Sequence, residues 1–570
     1  MLPAGGRAGF DLGPGPARDG RSAPGDEAKA QGVGVLLGPG INIKRSPLCG
    51  RNFEYLSGDP ILSGRLGAAL VDGLQGRGIG ASLKHFAANN QETDRLRVSA
   101  DIDARPLHEI YLRGFRHVVE HAAPWTVMCS YNRINGVYAS ENRWLLTDVL
   151  RGEWGFDGLV VSDWGAVSNR VAALSAGLDL EMPSTNGVTD AQIVAAVESG
   201  ALAQSALDTA AERVLALVEK VRSNFDTSAD YDRDAHHALA RDVARRSVVL
   251  LKNDGILPLD PAANTRIAVI GEFARTPRYQ GAGSSQVVPT RLDNALDEIR
   301  TIAVGPEITF APGYSLDESG SATGLLVDEA VSLAASADVA VVFLGLPAED
   351  ESEGFDREHI ELPAAQTELL DAVLAANPRV VVVLSNGSVV RLSGRAGRVP
   401  AIVEGWLLGQ AGGGAVADVL FGVVNPSGRL AETIPVRLED TPAYLDFPGE
   451  AGHVRYGEGL FVGYRYYDSR DVAVSFPFGH GLSYTSFDYS TPTATRTAAG
   501  VEVALTVTNT GPRDGREVVQ VYVGVPDSVR GPGVLRCGAV AVGRRRRRLS
   551  GVGRRLVAGP ARGGGRDGRG

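Results

Sequence analysis

The sequence predicts a multidomain α/β protein that ends in a smaller β region. Three observations carry this. From residue 28 to 222, short apolar runs alternate with amphipathic stretches. After a polar linker, a second series of such units runs to residue 482. From 483 onward, apolar and polar residues alternate, with turn residues between the runs. Alternating βα units imply parallel sheets, and a two-residue alternation implies antiparallel strands with one face in solvent.

In the first region, "GVGVLLGPG" (32–40), "GIGASLKHFAAN" (78–89), "PWTVMCSYN" (124–132) and "GLVVSDW" (158–164) read as strands. Residues 104–121 and 143–153 read as amphipathic helices between them. The implied parallel sheet is open or closed into a (β/α) barrel. Polar residues gather at the C-terminal end of each strand: Asn42, Lys84 and His85, Ser130 to Asn132, Asp163 and Trp164. In a barrel, that end carries the active site. Residues 1–27 are rich in Gly, Pro and Arg without periodicity and read as an irregular N-terminal segment.

Residues 223–245 read as a linker running into a helix. The second α/β region, 246–482, has strand candidates at 266–272, 338–346, 379–387 and 401–409. The third, 483–526, contributes "EVALTVTNTG" (502–511) and "EVVQVYVGV" (517–525) as antiparallel sandwich strands. Residues 527–570 form an Arg/Gly-rich tail that interrupts a strand pattern midway. Such a tail reads as disordered, as nucleic-acid-binding, or as the product of a lost reading frame. The interruption favours the last.

Composition narrows the function. The net charge is −10 and the pI about 5.5, which argues against a nucleic acid or an anionic membrane as partner. No apolar stretch is long enough to span a bilayer. Cys49, Cys129 and Cys537 are far apart and odd in number, so they predict neither disulfides nor a zinc site. A cytoplasmic location is expected, since no signal peptide is visible. "RIAVIGE" (266–272) opens like a dinucleotide-binding unit but lacks G-x-G-x-x-G, and "YQGAGSSQV" (279–287) lacks the ending of a P-loop. The histidines show no H-E-x-x-H spacing. No cofactor and no metal are therefore expected.

Two acidic features remain. Asp163 ends a buried strand, where an unpaired carboxylate is costly. The loop "LGLPAEDESEGFDREHIELP" (344–363) follows another strand and crowds Asp350, Glu351, Glu353 and Asp356. Two carboxylates facing one substrate suit glycoside hydrolysis, with one as nucleophile and the other as an acid of raised pKa. Arg51, Lys84, His85 and Arg95 can donate to sugar hydroxyls. Trp164 offers a face for a pyranose, and Tyr131 can fix a neighbouring carboxylate. Each has a bland alternative: Arg51 pairing with Glu54, Trp164 in the core, Asp163 as a helix cap, the acidic loop as a solvated charge run.

Seven stretches resemble glycoside hydrolase family 3, in particular its β-glucosidases. They are "GPGINIKRSPLCGRNFEYLSGDP" (38–60), "GASLKHFAANNQETDR" (80–95), "MCSYNRINGVYASEN" (128–142), "GLVVSDWGAV" (158–167), "ESEGFDR" (351–357), "ADVLFGVVNPSGRLAETIP" (417–435) and "FPFGHGLSYTSF" (476–487). The resemblance implies a TIM-like barrel, an α/β sandwich domain and a partial fibronectin type III-like domain. It implies a retaining exo-β-glucosidase acting on a small carbohydrate without a cofactor. Asp163 matches the family's nucleophile, held ionised by Arg and Lys neighbours that lower its pKa. Glu353 matches the acid/base, with Glu351 as runner-up. Arg51, Lys84, His85, Arg95, Tyr131 and Trp164 match residues around the terminal sugar. Nothing matches the family's D-G-P-x-G segment, so the barrel is expected to be incomplete at its start. A β-xylosidase on the same fold and an inactive fragment are the rival expectations.

Overall fold

The computed structural model describes residues 16–316, 323–497, 500–523 and 535–538. The four predicted strands of the first region form one parallel sheet in chain order: β1 (Val35–Leu36), β2 (Gly80–Phe86), β3 (Thr126–Cys129) and β4 (Leu159–Ser162). β3 and β4 are buried throughout, as near-continuous apolar runs require in a sheet covered on both faces. One face carries Leu83, Val127 and Val160 against the helices Pro60–Gln75, Arg113–Ala122 and Trp144–Glu153. The other carries Met128, Leu159 and Val161 against Leu180, Met182, Val214 and Leu217.

The sheet is open among the described residues, extended beyond β4 only by a bridge from Val161 to Leu180. The reason is numerical, because a barrel packed by its own side chains takes about eight strands.

The N-terminal segment departs from expectation. Pro16–Ala30 is a helix, although it contains Gly20, Pro24 and Gly25. Local propensity opposes it, and tertiary contact holds it. Ala23 and Ala28 are buried, Asp26 pairs with Arg77 at 3.0 Å, and His236 meets Glu27 at 2.9 Å. Residues 1–15 lie outside the described residues.

Between the two regions a short linker runs into a helix. The helix Gln204–Asn224 runs past residue 222, and the next helix begins at Arg233, capped by Asp232. The second region is a six-stranded sheet in the order β7-β6-β8-β9-β10-β5. Its strands are β5 (Val249–Asn253), β6 (Arg266–Ile270), β7 (Glu307–Ala311), β8 (Val339–Gly345), β9 (Val380–Ser385) and β10 (Ala401–Glu404). All pairs are parallel except β10 with β5. All seven residues of β8 are buried, and each large apolar side chain there contributes roughly 1.5–3 kcal/mol. The edge strands β5 and β7 escaped the sequence reading; β7 carries a weak apolar signal and begins at the exposed Glu307, whereas the apolar start of β5, Val249 to Leu251, is buried and continues directly from the preceding helix.

The two α/β regions are joined by charged contacts as well as packing. Lys44 meets Glu432 at 2.9 Å and Arg45 meets Glu458 at 2.5 Å, all four side chains nearly buried. Asp59 caps the helix Pro60–Gln75 and also accepts from Tyr464 and Arg465. His453–Arg455 adds a strand beside Ser99–Asp101 of the first region. In the third region, Phe487–Tyr489 pairs with Val507–Asn509, Thr493–Thr497 with Gly500–Ala504, and Gln520–Val523 with Leu535–Gly538, all antiparallel. Apart from 535–538, the predicted tail lies outside the described residues.

Candidate active site

The C-terminal ends of β2, β3 and β4 converge with the loop that follows β8. β2 delivers Lys84 and His85. Asn42 fixes this strand end from the neighbouring chain: its amide donates to the His85 carbonyl at 2.9 Å and its oxygen accepts the His85 N–H at 2.8 Å. Burial first, then Arg51, Lys84 and Arg95, depress the His85 pKa, so the imidazole is neutral. Tyr131 follows β3 and Asp163 follows β4.

Asp163 is 6% exposed. Its Oδ1 accepts the Trp164 N–H at 2.8 Å. Its Oδ2 is buried without a hydrogen-bond partner among the described residues, 3.5 Å from His85 Nε2. The expected lowering of its pKa is reversed. Burial raises it, and Arg51, the Trp164 N–H, Tyr131 and Lys84 offset that only in part. Desolvation prevails because the guanidinium and ammonium groups are engaged elsewhere. Arg51 and Lys84 both pair with Glu54, at 2.6 Å and 2.9 Å. Burial opposes the Glu54 charge, yet these two cations hold its pKa down at about 2. The bland pairing of Arg51 with Glu54 is thus present, and Arg51 still reaches Glu353 at 3.6 Å.

Glu353 is half-buried on the loop after β8. Its Oε1 accepts from Arg95 at 3.0 Å, and its Oε2 accepts the Ser284 N–H at 2.9 Å and the Ser284 hydroxyl. Burial works against its charge, but Arg51, Ser284 and Arg95 bring its pKa down to about 2. An acid of raised pKa is the expectation here, and its partners favour the carboxylate instead. Arg95 also lies over the Tyr131 ring, 4.6 Å from its centroid. Arg51 and Tyr131 sense both Asp163 and Glu353, so the two carboxylates border one cluster.

The loop distinguishes its two glutamates. Glu351 is 1% exposed and turned inward, accepting the Gly387 N–H and the Ser388 hydroxyl. Glu353 faces the cluster. Trp164 is 42% exposed, so it is not core, and Phe355 is 41% exposed beside Glu353. The structure therefore gathers Arg51, Lys84, His85, Arg95, Tyr131, Asp163 and Glu353 and leaves Trp164 open beside them.

Sequence reasoning missed Glu54, Glu92 and Ser284 as members of this cluster. Ser284 lies in the glycine-punctuated loop first weighed as a phosphate cradle. Gly283 there has φ of +84° and a Cβ would meet Glu353, so the glycine was the legible sign of close approach. Glu54 and Glu92 sit three residues from Arg51 and Arg95, a spacing that reads equally well as ordinary pairing. Among the described residues no cluster of three metal-ligating side chains occurs, and no helix is long and apolar enough to cross a membrane.

Known proteins resemble this chain along most of its length. Residues 16–217 match the Glycosyl hydrolase family 3 N terminal domain and residues 248–484 the C-terminal domain. The chain is 53% identical to Thermostable beta-glucosidase B of Acetivibrio thermocellus over 519 residues, 90% of this chain and 68% of that protein. It is also 53% identical to an Exo-alpha-(1->6)-L-arabinopyranosidase of Bifidobacterium longum over 508 residues, 87% of this chain and 66% of that one. The chain thus spans about two thirds of the length of these relatives. The crystal structure of a Bifidobacterium adolescentis GH3 beta-glucosidase superposes with a TM-score of 0.89 at 51% identity, covering 95% of this chain and 81% of that one. Beta-glucosidase 3B from Thermotoga neapolitana, solved with α-D-glucose, superposes with a TM-score of 0.86 at 34% identity, covering 96% and 81%. With both domain signatures in order across most of its length, the chain belongs to glycosyl hydrolase family 3.

Proposed function

We propose that this protein hydrolyses terminal, non-reducing β-D-glucosyl residues by a retaining double displacement. The observation that carries this is the Asp163 carboxylate. One oxygen is anchored by Trp164 and the other is buried, unpartnered and next to a neutral histidine. A buried carboxylate oxygen with so few donors is poised, once ionised, to attack an anomeric carbon. We read β1–β4 as an arc of a (β/α) barrel, residues 246–482 as an α/β sandwich domain and the strands from 487 as part of a fibronectin type III-like domain.

In this reading Asp163 forms a glycosyl ester while Glu353 protonates the leaving oxygen. Glu353 then takes a proton from the water that releases the sugar. Arg51, Lys84, His85, Arg95 and Tyr131 hold the hydroxyls, and Trp164 supplies an apolar face. Because Glu353 is paired with Arg95, the acid step requires sugar hydroxyls to take over the guanidinium. A small carbohydrate is the partner in this scheme.

A second reading is exo-α-L-arabinopyranosidase, favoured by the equal identity to the Bifidobacterium longum enzyme. An α-L-arabinopyranoside is configured like a β-D-galactopyranoside without C6, so the choice rests on groups around C4 and C5. A panel of p-nitrophenyl β-D-glucoside, β-D-xyloside and α-L-arabinopyranoside ranks the candidates by kcat/KM. Glu353→Gln is expected to lose on the order of 10²–10⁴ in turnover. Added azide should restore it with formation of the β-glycosyl azide. Loss at Glu351→Gln with normal turnover in Glu353→Gln would refute the assignment.

A further inference from the structure

Glu92 is a buried ionisable group at the edge of the site that the reaction scheme leaves unused. It is 2% exposed. Its Oε2 accepts from Arg95 Nη1 at 2.6 Å and from the Gly354 N–H at 2.8 Å, and its Oε1 has no hydrogen-bond partner among the described residues. Arg95 and Gly354 flank Glu353: the first binds its carboxylate, the second follows it in the chain. Glu92 belongs to the first region and Glu353 to the second. Its carboxylate therefore grips, from across the junction, both the backbone and the counter-ion of the candidate acid/base. The groups facing it are Arg51 and Arg95, Asp356 on the acidic loop, and the Cys49 thiol and Tyr55 phenol.

We propose that Glu92 is a positioning residue for Glu353, fixing its location through Gly354 and the firmness of its charge through Arg95. This rests on the reading of Glu353 as the acid/base. Arg95 is shared between two carboxylates. When Glu92 is ionised, it draws on the guanidinium and repels Glu353, so Glu353 gains a proton more easily. When Glu92 is neutral, the whole guanidinium serves Glu353 and holds it as an anion. Burial, opposed by Arg51 and Arg95, raises Glu92 to about 7, so this division of Arg95 changes within the working range of pH.

The test is the pH dependence of kcat, which reports the substrate complex, on an aryl β-glucoside for the parent, Glu92→Gln and Glu92→Asp, each also combined with Glu353→Gln. Glutamine keeps the shape and both acceptor contacts but removes the charge. We expect its basic limb to move to lower pH by about half a unit or more, with kcat reduced about tenfold and KM little changed. Aspartate keeps the charge and shortens the reach, so it should lose turnover with the limb in place. In the Glu353→Gln background, with azide, neither substitution should cost more than about twofold, because a shared function is lost only once. Unchanged limbs in Glu92→Gln, or a loss that adds in full to that of Glu353→Gln, would overturn the proposal. Should the glutamine variant not fold, additivity of the aspartate variant decides. Failure of azide to rescue Glu353→Gln itself would instead sink the acid/base assignment.

Discussion

Asp163 ends a strand whose four residues are all buried, whereas Glu353 sits half-buried on a loop that crosses from one region to the other. The first carboxylate has one oxygen without a donor; the second is held by a serine and two arginines. Their pKa values move in opposite directions, Asp163 up by burial and Glu353 down to about 2 despite burial. A strand end gives a fixed, desolvated and costly charge. A loop gives a charge that must be recruited and oriented by its neighbours. The two carboxylates thus differ in what sets their charge, desolvation in one and recruited partners in the other.

The largest expected effect tests the first origin. Asp163→Asn should abolish turnover, with a loss on the order of a thousandfold or more. It should leave Tm unchanged or raise it, because it removes a buried charge that the fold only partly compensates. Rates and thermal melts on the same preparations check this. A drop of several degrees would recast Asp163 as a structural ion.

A smaller effect tests the second. Asp356 accepts the N–H groups of Gly50, Glu92 and Thr93 at 3.0, 2.8 and 2.8 Å, and the Arg357 N–H donates to the Leu48 carbonyl at 2.8 Å. A Cβ on Gly50 would lie 1.8 Å from the Phe355 carbonyl oxygen and 2.4 Å from that of Ser352. Gly50→Ala must therefore push the loop that carries Glu353. We expect kcat to fall about tenfold to a hundredfold, since a displacement near 1 Å is enough for that, with the far-UV spectrum unchanged. Parent-like kcat would show that the loop is not set by this contact.

The same contrast explains what was legible in the sequence. Asp163, Lys84, His85 and Tyr131 could be read because each terminates a short apolar run, and strand ends are where a parallel sheet exposes chemistry. Residue pattern alone does not separate Glu353 from Glu351, and only the family resemblance ranks Glu353 first; in the fold Glu351 turns toward Gly387 and Ser388 and Glu353 toward Arg95. Pattern could not say that Glu54 would engage both Arg51 and Lys84, because the two cations are 33 positions apart along the chain. The helix Pro16–Ala30 was hidden for a related reason: its residues argue against a helix, and its neighbours supply the stability. The four-stranded sheet is open, one of the two forms that the strand pattern left open.

The smallest effect separates the two carboxylates by the sign of their pH dependence. Glu353 has a depressed pKa in the folded state. Its contribution to stability is present above its ordinary value of 4.5 and fades as pH falls through about 2. Parent should therefore melt higher than Glu353→Gln at pH 6, and the gap should close toward pH 2. Partial exposure, 13% of the side chain, and solvent screening keep that gap under about 1 kcal/mol. Asp163 has a raised pKa, so its charge costs stability above that value and the cost disappears on protonation. Asp163→Asn should therefore melt at or above the parent at pH 6 and converge with it as pH falls. Melting curves of parent and both variants across that range read the two slopes directly. Parallel slopes of the same sign would mean that the two sites share one environment, and the division between a desolvated strand end and a recruited loop would be lost.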